Sequence, residues 1–220
     1  MIKACIFDMD GTVANTINSI TYFANNALTK AGLPTIDTED YKILVGNGAK
    51  VLVERMLDKV GASREYYEAV ADEYNSKYNA DFLYLTEPYE GIVDAMLKLR
   101  EMGIKVTILS NKPHETALKV SDALFPEGSV DICYGAREGI ALKPDPQGVY
   151  ELLGDLGIEK EECLYIGDTG TDMKTGKGAG LYTIGVLWGF RGKEELENNG
   201  ADVIISHPSE IIDIVNKFNS

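Results

Sequence analysis

Residues 2–12 read Ile2-Lys3-Ala4-Cys5-Ile6-Phe7-Asp8-Met9-Asp10-Gly11-Thr12. The first six form a nearly unbroken apolar run, the pattern of a strand buried on both faces. Two aspartates follow at once, and Asp10-Gly11 is a turn pair. Open parallel sheets bind ligands beyond the carboxyl ends of their strands. This stretch therefore predicts both a sheet buried on two sides and a ligand site at its edge.

The same signal recurs at 104–109, 130–134, 163–166 and 181–187. Helical spacing fills the intervals. In 91–102 the residues Ile92, Met96 and Leu99 share one stripe, and 113–125 opens with Pro113 at a first-turn position. Further helices are expected over 145–157, 171–179 and 208–218. Strands alternating with helices of this length predict an α/β protein, a doubly wound parallel sheet with right-handed crossovers.

Residues 15–83 break that rhythm. They hold no buried-strand run, and 17–31, 38–45, 48–60 and 64–80 read as amphipathic helices separated at Gly32-Leu33-Pro34, Gly46-Asn47-Gly48 and Gly61-Ala62-Ser63. The expected organisation is an α/β catalytic core over 1–14 and 84–220, with an inserted helical cap over 15–83. Tyr66, Tyr67, Tyr74 and Tyr78 are expected to pack that cap.

Composition narrows the function. The 220 residues carry 21 Lys+Arg against 35 Asp+Glu, a net charge of −14, with 45% hydrophobic residues. That apolar content supports a folded core. The acidic balance argues against a nucleic-acid partner, while a local positive pocket still admits a small phosphorylated substrate. No apolar run approaches the roughly 18 residues of a membrane span, and the first ten residues lack the layout of a signal peptide. A cytoplasmic monomer or small homo-oligomer with no membrane partner is expected. Cys5, Cys133 and Cys163 are too few and too scattered for a disulfide framework or a zinc site.

Residues following the strands converge on one edge: Asp8 and Asp10 after the first, Ser110-Asn111-Lys112 after the second, and Asp168 and Asp172 after 163–166. Lys143 lies in a loop nearby. Singly, each is an ordinary turn, cap or solvated loop residue. Together, several carboxylates at one edge repel unless a cation or the chemistry requires them. All the available ligands are oxygens, which suits a hard divalent ion. A carboxylate approaching a phosphate dianion meets about 8 kcal/mol of repulsion, twice the ~4 kcal/mol for unit charges about 4 Å apart at an effective dielectric of about 20. A divalent cation and Lys143 can offset that. The EF-hand spacing is absent, since Gly11 stands fourth rather than sixth, and 171–178 lacks the first Gly and the final Ser or Thr of a phosphate-binding loop. His114 and His207 lack a nucleophile partner pattern.

Four segments in order, Ile6-Phe7-Asp8-Met9-Asp10-Gly11-Thr12, Ile108-Leu109-Ser110-Asn111-Lys112, Ala141-Leu142-Lys143-Pro144-Asp145-Pro146 and Tyr165-Ile166-Gly167-Asp168-Thr169-Gly170-Thr171-Asp172-Met173, resemble the motifs of the haloacid dehalogenase superfamily. Finer features, residues 45–50, 110–113 and 185–191, look like its phosphoglycolate phosphatases. The resemblance implies a Rossmann-like core with an inserted cap and a Mg²⁺-dependent phosphatase. It makes Asp8 the nucleophile that forms an aspartyl-phosphate and Asp10 the general acid and base. Mg²⁺ would be held by Asp8, the main-chain carbonyl of Asp10 and Asp168. Ser110, Asn111 and Lys143 would bind the phosphoryl group, with Lys143 counted among the catalytic residues and Asp172 in support. Asn15 stands where relatives often carry Asp. 2-Phosphoglycolate is the leading substrate; pyrophosphate hydrolysis, a sugar-phosphate phosphatase, a phosphosugar mutase and a non-catalytic binding module are the alternatives.

Overall fold

A computed structural model describes residues 1–220. The chain divides into two units, Met1–Asn15 with Pro88–Ser220, and Thr16–Glu87. The two crossings thus fall after Asn15 and after Glu87, where the sequence placed them after residues 14 and 83.

The larger unit holds a six-stranded sheet. Its strands are β1 (Ala4–Phe7), β4 (Lys105–Pro113), β5 (Ile132–Ala136), β6 (Cys163–Gly167), β7 (Tyr182–Val186) and β8 (Val203–Ile205). The order is β5-β4-β1-β6-β7-β8, and every pairing is parallel. Two-residue strands β2 (Ala14–Asn15) and β3 (Glu87–Pro88) form a separate ladder. Strand β1 lies between β4 and β6, so the chain's direction of travel across the sheet reverses there. That reversal opens the crevice in which α/β sheets hold ligands.

Every β1 residue is buried, as its apolar run requires. On one face Ile6, Leu109 and Tyr165 pack with Val149 and Leu152 of α7 (Gln147–Leu156) and Ala179 of α8 (Gly170–Ala179). Helix α5 (Ile92–Glu101) packs on β4, and α10 (Glu210–Asn219) packs on α5. The α5 stripe is the expected one, with Ile92, Met96 and Leu99 fully buried. Helix α6 (His114–Leu124) links β4 to β5, and α9 (Lys193–Asn198) links β7 to β8. The three cysteines are free and buried.

Three local expectations are corrected. Pro113 does not open a helix: it ends β4 with φ −48° and ψ 134°, and α6 begins at His114. An extended residue followed by the helix start satisfies the fixed proline φ equally well. The stretch 64–80 splits into a short 3₁₀ turn, Arg64–Tyr66, and α4, Tyr67–Ala80. Within it Tyr74 and Tyr78 are buried, whereas Tyr66 is exposed because its turn precedes the buried stripe. The sixth strand, β8, was not expected from the sequence.

The smaller unit contains α1 (Ile17–Lys30), α2 (Thr38–Leu44), α3 (Gly48–Lys59) and α4. Helix α1 buries Ile17, Ile20, Phe23, Ala24, Ala27 and Leu28, the one-sided stripe of a packed amphipathic helix. Phe23 meets Tyr78 edge to face at 5.8 Å. The Asn25 carboxamide both donates to and accepts from the Ile36 backbone at 2.9 Å, and accepts from the Tyr41 hydroxyl at 3.0 Å.

Candidate active site

The Asp8 amide donates to the Ile166 carbonyl at 2.9 Å, so the first turn leaves the sheet still tied to β6. The Met9 carbonyl then accepts from the amides of Thr12, Val13 and Ala14, folding residues 9–14 into a tight loop at that edge. Asp8 and Asp168 are therefore brought together by adjacent strands, and Asp172 by the first turn of α8.

Lys143 ties this cluster. Its ammonium donates to Asp8 Oδ1 at 2.6 Å and to Asp172 Oδ1 at 2.7 Å, with all three side chains buried. The loop that delivers it is clamped by Asn111. The Asn111 carboxamide donates to the Lys143 carbonyl at 3.0 Å, and its oxygen accepts from the Lys143 amide at 2.8 Å. These two bonds tie the side chain expected to bind phosphate to the lysine loop and hold that loop in place. The Ser110 hydroxyl oxygen accepts from the Lys112 amide at 3.1 Å, and its O–H retains the ability to donate.

Asp172 and Thr169 form a reciprocal cap on α8. Asp172 Oδ2 accepts from the Thr169 amide at 3.1 Å and its hydroxyl at 2.6 Å. With its other oxygen on Lys143, Asp172 is well occupied, which fits support of the lysine.

Asp168 is fixed by a segment that the sequence linked to relatives without giving it a role. Asp168 Oδ2 accepts from the Phe190 amide at 2.7 Å, and Oδ1 accepts from the Thr12 hydroxyl at 3.2 Å. The Trp188 indole donates to the Thr12 carbonyl at 2.9 Å, so loop 187–191 is tied to both the first turn and Asp168. Between these anchors lies Gly189, where a Cβ would fall 2.3 Å from both Asp168 Cβ and the Gly11 carbonyl oxygen. Gly189→Ala should therefore displace the loop and lower kcat/KM by about 100-fold, the scale of an ångström-sized misplacement near the chemistry. The lone tryptophan sits in this loop, so its emission should shift in the variant; wild-type emission with wild-type activity would refute the clamp. Arg191, the next residue of this loop, pairs with Glu195 at 3.1 Å.

Burial pushes the Asp8 carboxyl up to about 7, with Asp172 adding to the rise and Lys143 opposing it. Burial likewise holds Asp168 well above the carboxylate range, reinforced by Asp172 and Asp8. Burial works against charge on Lys143, but Asp172 and Asp8 outweigh it and hold the ammonium charged. Of the three buried carboxylates, Lys143 thus touches two, Asp8 and Asp172. The ligand oxygens of Asp8, Asp168 and Asp172 lie within 4.8 Å of one another, an all-oxygen donor set suited to a hard divalent cation. The Asp10 carboxylate is not part of that trio and faces Lys112 at 3.2 Å.

The haloacid dehalogenase-like hydrolase family profile matches residues 5–186, and the chain belongs to that family. Within it the resemblance is to phosphoglycolate phosphatases. The Aquifex aeolicus phosphoglycolate phosphatase is 28% identical over 97% of both chains. The N-acetylmuramic acid 6-phosphate phosphatase of Pseudomonas aeruginosa is 30% identical over 98% of this chain and 96% of its own. A crystal structure from Lactobacillus delbrueckii subsp. bulgaricus, of an inferred phosphoglycolate phosphatase, superposes with a TM-score of 0.91 at 33% identity, covering 97% of this chain and 98% of that one.

Proposed function

We propose that this hydrolase is a Mg²⁺-dependent phosphatase that cleaves a small phosphomonoester, 2-phosphoglycolate first among candidates, through an aspartyl-phosphate on Asp8. The observation that carries this reading is the buried Asp8–Lys143–Asp172 array at the sheet's switch point. An ammonium at 2.6 Å keeps one Asp8 oxygen engaged and offsets part of the push that burial gives toward the neutral form, favouring the nucleophilic carboxylate.

Asp8 attacks phosphorus, and the ester P–O bond breaks as the acyl-phosphate bond forms. Asp10 gives its proton to the departing alkoxide, then takes one from the water that attacks phosphorus. The second displacement releases inorganic phosphate and restores Asp8. Lys143 and the Ser110 hydroxyl offset charge on the transferring group. Asp8 and Asp168, with the Asp10 carbonyl, would hold Mg²⁺. Such an ion supplies charge neutralisation for the phosphate dianion and polarises its oxygens. The unit Thr16–Glu87 is read as a cap that selects the organic end of the substrate.

A sugar phosphate is the second reading, favoured by the 30% identical relative named for N-acetylmuramic acid 6-phosphate. Comparing kcat/KM for 2-phosphoglycolate, N-acetylmuramic acid 6-phosphate, a hexose phosphate and pyrophosphate separates them. 2-Phosphoglycolate is expected to rank first with Mg²⁺, and all turnover should vanish in excess EDTA. Full turnover in EDTA would remove the metal assignment, and another ester ranking first would replace the substrate.

A further inference from the structure

Lys112 has no part in the mechanism above, yet it is placed unusually for a lysine. Simple strand alternation would send Asn111 to one face and Ser110 and Lys112 to the other. All three are buried, because β4 is covered on both faces. The register slips at this point: Leu109 lies opposite Tyr134, and Pro113 opposite Ala136. Bulges of this kind bend a strand and re-aim its side chains. Gly135 on β5 permits the bend, because a Cβ there would lie 2.5 Å from the Lys112 carbonyl oxygen and 2.6 Å from His114 Cα.

So bent, the strand carries the Lys112 ammonium to 3.2 Å from Asp10 Oδ1, with the two side chains 5% and 20% exposed. A lysine this buried is rare unless paired. Oδ1 is itself buried and takes no aligned hydrogen bond, so the ammonium is set against it as a charge.

We propose that Lys112 is a positioning residue for Asp10, fixing Oδ1 as the oxygen that faces a cation and so assigning the transferable proton to Oδ2. This rests on Asp10 acting as general acid and base. A proton on Oδ1 would point at an ammonium that has only donors to offer, so charge and hydrogen-bonding capacity both place it on Oδ2. When the ester bond breaks, the Oδ2–H bond breaks with it. The proton passes to the leaving alkoxide, and the electron pair stays on Oδ2. In the second displacement Oδ2 takes a proton from the attacking water. The ammonium gives up no proton in either step.

The test uses the full chain with saturating Mg²⁺ and two substrates, 2-phosphoglycolate as alkyl ester and 4-nitrophenyl phosphate as activated aryl ester. Lys112→Met should lower kcat for the alkyl ester at least about tenfold more than for the aryl ester, part of the 10²–10⁴ that general acids supply. KM should change little, and Lys112→Arg should restore most of the loss. In an Asp10→Asn background, Lys112→Met should add no further loss, since the group it serves is gone. Equal losses on both esters, a rise in KM at constant kcat, or multiplicative losses in the double variant would each overturn the proposal. If Lys112→Met does not fold, Lys112→Gln is read in the same way. Asp10→Asn alone separates the two ideas. A flat response there removes Asp10 as general acid, whereas the expected Asp10 split with a flat Lys112 response removes only Lys112.

Discussion

Asp8→Asn is expected to abolish turnover, by about 10⁴-fold or more, while leaving the fold intact. The amide has nearly the shape of the carboxylate and still accepts from the Lys143 ammonium through its oxygen, so packing around Asp8 changes little. What is lost is the nucleophile. The sign of the stability change separates this from a folding defect. Burial raises Asp8 to about 7 in the folded chain, against an ordinary carboxylate value near 4. A raised group favours the folded state fully below about pH 4, and that contribution is lost as pH rises through about 7. A neutral amide escapes the loss. In EDTA, Asp8→Asn should therefore melt at or above the wild-type temperature at pH 8, with a smaller advantage at pH 5. An inactive variant that melts well below wild type at pH 8 would make Asp8 structural.

Lys143→Met is expected to cost both activity and stability. The methionine fits the volume of the lysine stem but leaves Asp8 and Asp172 facing each other with no buried cation between them. Removing one member of a buried ionic array costs about 3–5 kcal/mol, chiefly because the remaining charges cannot regain water. Without the ammonium, which now lowers the Asp8 value, the Asp8 carboxyl rises further. Its ionised form is then the costly one, so destabilisation should be largest at pH 8 and should shrink as pH falls toward 5. Urea melts at both pH values in EDTA measure this. A penalty that is equal at both, or larger at pH 5, would show that Lys143 stabilises through packing alone.

The central sheet was legible because both-face burial leaves an unmistakable mark: Ala4–Phe7 and Cys163–Gly167 are apolar throughout. Once those strands are parallel neighbours, the residues just past their ends must meet, which is why Asp8, Asp168 and Asp172 could be gathered from sequence alone. Elements lacking that mark escaped. Strand β8 has three residues, only one fully buried, and α9 reads Lys193-Glu194-Glu195-Leu196-Glu197-Asn198, a charged stretch with a single buried side chain. The second rank of the site was hidden for another reason. Asn111 reaches Lys143 across 32 residues of sequence, and Phe190 reaches Asp168 through a backbone amide. Each bond has a backbone group at one end, which no side-chain type announces. Lys112 was quoted in its motif without a role, because a strand pattern does not say that its ammonium meets Asp10 across the site.

The account stands on two successive displacements at phosphorus, the first by Asp8 and the second by water. Each in-line displacement inverts the phosphorus, so two together restore its configuration. The direct measurement uses an alkyl phosphate, 2-phosphoglycolate or whichever ester the panel ranks first, made chiral at phosphorus with oxygen isotopes. The phosphoryl group is transferred to an alcohol acceptor that replaces water in the second step. Retention of configuration is the result expected if Asp8 carries the phosphoryl group between the two steps. Inversion would mean that the acceptor attacks the ester directly, with Asp8 never bonded to phosphorus.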